Sequence, residues 1–568
     1  MVLSWEIQHP ISKEWFTLGE RGSVQEALFQ QGILPDPFYG ENEKLYQWIE
    51  EHQWHLRSRF FLTEDMFNAT EVELDFPCID TYASISINKQ NILEAENYFH
   101  PYQVEVRDKL VLGYNEIEAV FTPPVLYHKT TYENQSFHYP APNDNAKIKA
   151  APLTRKPQYQ FGWDWAPRLN TLGFPYPVVI EVKQENALKH IVVNTLSIDE
   201  QASMQMVLVK EARHAAHRFQ SLQFGWSVLN DSTAVQSIAF ELESPILWWP
   251  KGEGGSYLYE DTLLVFNVNN ELIERFPYTF GIRTVSLHQN TDEWGTSFSF
   301  EVNGKPIFMK GGDMIPPSMY GGKTTTKEWT DWVKLMVNSN FNMVRIWGGG
   351  DYATEDFLNE CDRIGLMVWH DAMFACAMYP GDSMFLMNVK KELEYQLPRI
   401  TAHPSVVYFN GNNEVDVAWK NWGFQLQYVL NEKNQKVIEK AYNDLFHTLT
   451  NKVISKWATT SYIHTSPLSN WGKEEYYNEG SQHYWGVWHG SDPMSSLVEN
   501  IGRFNAEYGF QSFPEYSNLT TFSDKKDWSL SSKVMKHHQK SYVGNGMIEK
   551  HAKLLYGPTD NFEEFVYR

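Results

Sequence analysis

Cysteine is scarce in this 568-residue chain: Cys78, Cys361 and Cys376 are odd in number and far apart. That spacing excludes a disulfide framework and the clustered ligands of a zinc site. No apolar run approaches the ~20 residues of a membrane helix. The first residues, Met1-Val-Leu-Ser-Trp-Glu-Ile, lack the charged and apolar regions of a secretory signal. The four Asn-x-Ser/Thr triplets, at Asn68, Asn134, Asn230 and Asn518, carry no meaning without secretion, and the chain reads as cytoplasmic. Positive charge is also short. Lys and Arg number 48 against 70 Asp and Glu, a net charge of −22, which leaves no footprint for nucleic acid or an anionic membrane.

What is present is length and aromatic surface. A chain of 568 residues exceeds one core and calls for two to four domains. Aromatics make up 15%, with 21 Trp, and flat indole faces suit a protein core as well as a sugar ring. Residues 1–182 are β-rich. Ile79 to Asn88 alternates, with Ile85 and Ile87 on one face and Ser84 and Ser86 on the other, and Asn88-Lys89-Gln90-Asn91 supplies a turn. Many short strands of this kind predict a β-sandwich. Residues 183–283 hold a second set, including Ala202–Val209 and Thr262–Val268, sized for one immunoglobulin-like sandwich. From residue 284 apolar runs alternate with helical patterns, as in βα units, after a hairpin signal at Asn303-Gly304. Helices are expected over Trp329–Met336 and Glu355–Ile364, and strands at Asn342–Trp347, Gly365–Asp371 and Val406–Phe409.

The last of these strands delivers Gly411-Asn412-Asn413-Glu414 at its C-terminal end, the rim that carries chemistry in a parallel α/β barrel. A second carboxylate follows in Asn505-Ala506-Glu507-Tyr508-Gly509-Phe510-Gln511-Ser512. Two carboxylates at strand ends are what retaining glycoside hydrolysis needs, one as acid/base and one as nucleophile. With 70 acidic residues, a Glu after an apolar run also arises by chance, so either segment alone decides nothing.

Taken together, Gly411-Asn412-Asn413-Glu414 and Ala506-Glu507-Tyr508-Gly509-Phe510-Gln511-Ser512 closely resemble the two catalytic motifs of β-mannosidases in glycoside hydrolase family 2. The resemblance implies two β-sandwiches, jelly-roll (1–182) and immunoglobulin-like (183–283), followed by a (β/α)8 TIM barrel (284–568). It implies Glu414 as acid/base, Glu507 as nucleophile, and Asn413 on the 2-hydroxyl of the sugar. Asp80, Thr81 and Asn88 match positions of the family's sugar-binding-like domain. Two Trp flanking an Asp in Gly162-Trp163-Asp164-Trp165 suit a bulged strand end with packed indoles. The resemblance instead makes Asp164 and Trp163 a substrate-binding loop that reaches across to the barrel. Arg345 is expected beside the nucleophile, where it keeps Glu507 ionised, although a buried structural ion pair uses the same geometry. Trp347 and Trp422 are expected to wall the sugar pocket, and Tyr484, on the rim segment Gln482-His483-Tyr484-Trp485, to donate to the nucleophile.

The sequence departs from the family pattern at Asp313, Ser318 and His370, where Asn, Asp and Gln are usual. Only 61 residues follow Glu507, and nothing among them resembles an eighth barrel strand. The barrel is therefore expected to lack its last strand and helix, and the chain to aggregate or hydrolyse little unless a partner supplies them. The expected activity is exo-hydrolysis of a β-mannoside or manno-oligosaccharide by double displacement, with no metal and no cofactor. The alternatives are another family 2 β-glycosidase, acting on a glucosaminide or glucuronide, and a non-catalytic carbohydrate-binding fragment. Oligomeric state is not legible.

Overall fold

In the computed structural model the described residues are 1–182, 188–210, 216–457, 459–472 and 477–568. The expected boundary between residues 182 and 183 abuts residues 183–187, which lie outside them.

Strand Trp54–Leu62 shows how the first unit is built. Trp54, Leu56, Ser58, Phe60 and Leu62 are buried while His55, Arg59 and Phe61 face solvent or neighbouring side chains. That period-2 pattern gives a sheet one dry face. The strand lies in an antiparallel sheet of six, with Trp5–Gln8 on one side and Gly113–Thr122 on the other. A three-stranded sheet centred on Val72–Phe76 packs against the dry face, with Trp5, Trp54, Phe76, Phe121 and Phe174 in the core between them. The expected turn joins Tyr82–Ile87 to Gln90–Ala95 through Asn88 and Lys89, both at positive φ (49° and 70°). Such backbone matches the twist of a two-residue hairpin, and Asn is among the few residues that adopt it at low cost.

The second unit pairs a three-stranded sheet (Leu188–Ile198, Gln201–Lys210, Val235–Glu243) with a four-stranded one that includes Tyr259–Phe266 and Leu272–Phe280. Met206, Leu208, Phe219, Leu263 and Val265 fill the space between. Arg283 fixes its exit. The guanidinium donates to the carbonyls of Pro404 and Val406, both at 3.0 Å, at the start of a strand of the third unit.

The third unit changes period, as expected. Asn303-Gly304 closes an antiparallel hairpin between Ser299–Val302 and Lys305–Ile307. Parallel strands then follow: β1 (Gly311–Met314), β2 (Met343–Ile346), β3 (Met367–Asp371), β4 (Val406–Asn410) and β5 (Ser461–Ile463), each pairing with the next. A parallel pair, β6 (Ser481–Tyr484) and β7 (Phe504–Tyr508), completes the set, and β7 lies beside β1. Helix Thr326–Asn338 begins with a capping box, Thr325 and Glu328 satisfying each other's backbone N–H groups. Helix Glu355–Ile364 ends at Gly365, whose φ of 86° is the left-handed conformation that stops a helix. Phe298, Phe300, Trp369, Tyr408 and Phe504 pack against one another among the strands. Among the described residues no parallel strand follows β7. Residues 509–568 form short helices, of which Asn545–Tyr556 and Phe562–Tyr567 bury Ile548 and Phe565 against Trp488. His538 of this segment donates to the Gly40 carbonyl of the first unit at 2.8 Å. No helix among the described residues is long and apolar enough to cross a membrane.

One buried ion pair ties the first unit to the third. Arg155 donates to both oxygens of Glu392, at 2.9 and 2.6 Å, and the two side chains are 2% and 0% exposed. Tyr352 and Asn97 also donate to Glu392, and the Arg155 guanidinium lies 3.9 Å from the Phe374 ring centroid. Arg155→Ala strips a buried carboxylate of the cation that pairs with it, an effect of roughly 3–5 kcal/mol. The thermal transition of the variant is expected to fall by several degrees, and a shift within error would show that the pair does not join the units.

Candidate active site

The site is assembled at the C-terminal ends of the parallel strands. β4 is fully buried along its length, and the chain must leave it tightly. Gly411 has no room for a side chain, since a Cβ there would stand 2.3 Å from the His464 carbonyl oxygen. Asn412 holds the turn: its Nδ2 donates to that carbonyl at 2.7 Å, and its Oδ1 accepts from Val415 N and from Thr465 Oγ1. Glu414 then takes φ 60°, a left-handed conformation unusual for a side chain of its kind, at the start of helix Val415–Asn421. Strain of this sort, on the order of 1–3 kcal/mol, persists where surrounding bonds over-determine the backbone. Here Glu414 N is fixed to the Ser466 carbonyl at 2.8 Å.

Arg345, buried on β2, is the hub. It donates to Glu507 Oε1 at 2.5 Å, Asp371 Oδ2 at 2.8 Å, Asn413 Oδ1 at 2.7 Å and Asp313 Oδ1 at 3.1 Å. One permanent cation thus faces three acidic groups. Burial, with the neighbouring charges of Glu507 and Asp371, pushes Asp313 well above the usual carboxylate range despite Arg345. Asp371 is further satisfied by Trp369 Nε1 and Asn410 Nδ2. The other Glu507 oxygen lies 3.2 Å from Trp485 Nε1 and 3.3 Å from His483 Nδ1.

Glu414 lives in a different environment. Cys376 Sγ donates to its Oε2 at 3.2 Å, and its Oε1 lies 2.9 Å from His483 Nδ1. Among the described residues no Lys or Arg touches it, and burial raises it above the ordinary glutamate value. The two carboxyls thus differ in their surroundings: Glu507 touches Arg345, and Glu414 does not. Glu414, His483 and Glu507 each bring one ligand-type atom within 4.8 Å of the others, close enough to hold a metal ion. Arg345 and Trp485 already engage both oxygens of Glu507, so the group serves as a hydrogen-bonded carboxylate pair.

A cavity of about 770 Å³ opens above the pair. Trp163, Trp165, Trp347, Trp422, Trp471, Trp485 and Trp488 line it, together with Asp164 and Tyr542. The first unit supplies one wall. Trp163 stands edge-on to Trp347 at 4.8 Å, and Trp347 folds over Gly349, where a Cβ would lie 1.9 Å from the indole. The loop is tied to the rim by Tyr159 N donating to the Gly349 carbonyl at 3.1 Å, and by Gln158 accepting from Ala375 N and the Tyr379 hydroxyl. Burial and the Glu414 charge push Asp164 up to about 6.

The structure brings Glu414, Glu507, Asp164, Trp163, Arg345, Trp347, Asn413 and Trp422 to one place. Tyr484 is the correction. Its hydroxyl donates to Asp492 at 2.8 Å and accepts from Asn500 at 3.1 Å, away from the nucleophile. Alternate residues of a strand face opposite ways, so His483 and Trp485 meet the carboxylates and Tyr484 turns outward. That alternation was the available signal for both. His370 also lies off the site, stacked on Tyr352 and Phe409, with Nε2 accepting from Ala353 N at 3.1 Å. Asp313 enters through Arg345, while Ser318 lines a separate cavity of about 420 Å³.

Comparison with known proteins gives a consistent picture. Residues 5–175 match the family described as glycosyl hydrolase 2 galactose-binding domain-like. β-Mannosidase B of Aspergillus clavatus is 30% identical over 537 residues, covering 91% of this chain and 62% of that protein. β-Mannosidase of Rattus norvegicus is 29% identical over 603 residues, covering 99% and 67%. The crystal structure of β-D-mannosidase from Dictyoglomus thermophilum superposes with a TM-score of 0.89 at 30% identity, covering 99% of this chain and 69% of that one. The chain spans 62–65% of the length of the Aspergillus and Thermothelomyces β-mannosidases B that it matches at 30% identity.

The raised Glu414 carboxyl has a consequence for stability. In the unfolded chain it ionises near pH 4.3, whereas the folded site holds its proton to higher pH, so folding is progressively disfavoured as pH rises through that window. Glu414→Gln removes the effect. The variant is expected to melt above the wild type at pH 7.5, with the gain disappearing below about pH 4. Equal melting temperatures at both pH values would show that the site does not hold Glu414 protonated.

Proposed function

This chain belongs to the β-mannosidases of glycoside hydrolase family 2, and from that premise we propose that it releases terminal non-reducing β-D-mannose from β-mannosides or manno-oligosaccharides with retention of configuration. The observation that carries the reading is the carboxyl pair: oxygens of Glu414 and Glu507 lie within 4.8 Å of each other beneath an indole-lined cavity. Retaining enzymes hold their carboxyls about 5–5.5 Å apart, whereas inverting enzymes need about 6.5–9.5 Å to admit a water.

In the first step the Glu507 carboxylate attacks the anomeric carbon, the bond to the glycosidic oxygen breaks, and that oxygen takes the Glu414 proton. In the second, water gives a proton to Glu414 and its hydroxyl to the anomeric carbon, and Glu507 leaves as carboxylate. Arg345 donates to the Glu507 carboxylate and orients it for the attack. Asn413, its Oδ1 held by Arg345, turns its amide toward Glu414, a placement that suits the 2-hydroxyl. Asp164 accepts from two hydroxyls of the terminal sugar while Trp163 and Trp347 cover its apolar face. The loop that carries Asp164 closes one end of the cavity, which supports action on chain ends. None of the described residues lining the cavity is Lys or Arg, and Asp164 and Glu414 disfavour a uronate.

The fold supports the same reading. We take β1 to β7 as strands of a (β/α)8 barrel spanning 284–568, residues 1–182 as a jelly-roll and 183–283 as an immunoglobulin-like sandwich. Three buried, unpaired cysteines fit a cytoplasmic setting.

A panel of aryl β-mannoside, β-glucoside, β-glucosaminide and β-glucuronide tests the assignment, with the mannoside expected to be cleaved and a preference for another sugar refuting it. Glu507→Ala is expected to abolish turnover, and Glu414→Ala to slow substrates with poor leaving groups far more than activated aryl ones, since only the former need the proton. Equal losses on both would remove Glu414 from the acid role. Asp164→Ala is expected to lower kcat/KM by roughly ten- to a hundredfold, the worth of one charge-assisted contact. An effect within twofold would show that the first unit does not complete the sugar site.

A further inference from the structure

Between the two carboxyls stands a histidine to which the double displacement gives no task. His483 is 2% exposed on β6. Its Nδ1 lies 2.9 Å from Glu414 Oε1 and 3.3 Å from Glu507 Oε2, and its Nε2 lies 3.0 Å from Ser466 Oγ. A bare Nδ1 would point its lone pair at the ionised Glu507, a repulsive arrangement in a dry site. A proton on Nδ1 bonds Glu414 Oε1 and turns a positive edge toward Glu507, and Nε2 then accepts from the Ser466 hydroxyl. The other charged groups that face the ring are Arg345 and Asp371, and burial pushes the imidazole down to about 3, so it carries one proton rather than two.

We propose that His483 is a positioning residue whose single Nδ1 proton bonds Glu414 throughout, with Glu507 Oε2 as a second, longer acceptor in the free enzyme and Glu414 alone in the covalent intermediate. The proposal rests on the retaining reading above. In the free enzyme the charge sits on Glu507 and the exchangeable proton on Glu414. After attack, Glu507 is an uncharged ester and Glu414 an ionised base. Hydrolysis restores both, and His483 neither gains nor loses a proton. The shorter distance is to Glu414, so that bond stays in place while the longer contact to Glu507 lapses with its charge. A fixed donor at this place assists both steps, because each develops or removes charge within its reach.

Nitrogen-15 NMR of the histidine-labelled full chain tests this directly, with the His483 signal identified by its loss in His483→Asn. Between pH 5 and 8 the free enzyme is expected to show a protonated Nδ1 and a bare Nε2. Trapping with a 2-fluoro mannoside should keep that tautomer and shift the Nδ1–H resonance. A proton on Nε2, or a resonance unmoved by a trapped ester, overturns the proposal. Failure to trap any ester in a wild type that hydrolyses mannosides defeats the retaining reading, and the half that concerns the covalent intermediate falls with it. In kinetics, His483→Ala is expected to slow both activated and poor leaving groups by roughly ten- to a hundredfold. Asn, whose side-chain amide can stand where Nδ1–H stood, should recover most of that loss. A loss confined to one class of substrate, or an Asn variant as poor as Ala at equal melting temperature, contradicts the proposal. Should His483→Ala fail to fold, Ser466→Ala keeps the ring and is expected to bring the Nε2–H form into the spectrum, and an unchanged tautomer would refute the role given to Ser466.

Discussion

The Arg345 guanidinium is the interaction on which the site depends. It sits on β2 and bonds to residues of β1, β3, β7 and the loop after β4, so one side chain fixes the relative heights of four other chain segments. Its planar fork can serve several oxygens at once and stays charged at any working pH, which a lysine ammonium would not reproduce. Three acidic side chains and an amide oxygen converge on it. Without the cation they would face each other unpaired.

From that constraint the division of labour between the two glutamates follows. Glu507 shares the cation and also receives the Trp485 indole donor, with the His483 ring 3.3 Å away. Glu414, a few ångströms away, meets a thiol and an imidazole but no Lys or Arg among the described residues, and burial raises it. The two identical side chains differ in that one touches Arg345 and the other is raised by burial. The first unit then completes the arrangement from outside. Its Trp163-Asp164-Trp165 loop is held to the rim by backbone and glutamine bonds, and the Arg155–Glu392 pair anchors the unit behind it. On the proposed reading, a sugar bound under that loop touches residues some 250 positions apart in the chain.

Much of this was legible in the sequence because local patterns carried it. The apolar run Val406–Phe409 is a buried strand, the spacing of Glu355–Ile364 is a helix with those bounds, and Asn88-Lys89 and Asn303-Gly304 are turns. The motifs around Glu414 and Glu507 resemble a known pair, and the fold brings them together. What escaped has physical reasons. The resemblance points to Tyr484 as donor to the nucleophile, while strand alternation turns it toward Asp492 and brings His483 to the carboxyls. Asp371 ends a strand buried at every position, where nothing local marks a charge as functional. Tyr542 reaches the cavity from the helical segment after β7, whose path no periodicity announces. The His at 370, where the family usually has Gln, is a packing matter, since the ring is stacked between two aromatics.

The central claim is that Glu507 forms a bond to the sugar while Glu414 manages the proton, and the stereochemistry of the first product reads it most directly. Proton NMR of the sugar released from an aryl β-mannoside, recorded before the anomers equilibrate, is expected to show β-mannose appearing first and α-mannose only later by mutarotation. First appearance of α-mannose would mean a single displacement by water, and would contradict the roles drawn here for both carboxyls.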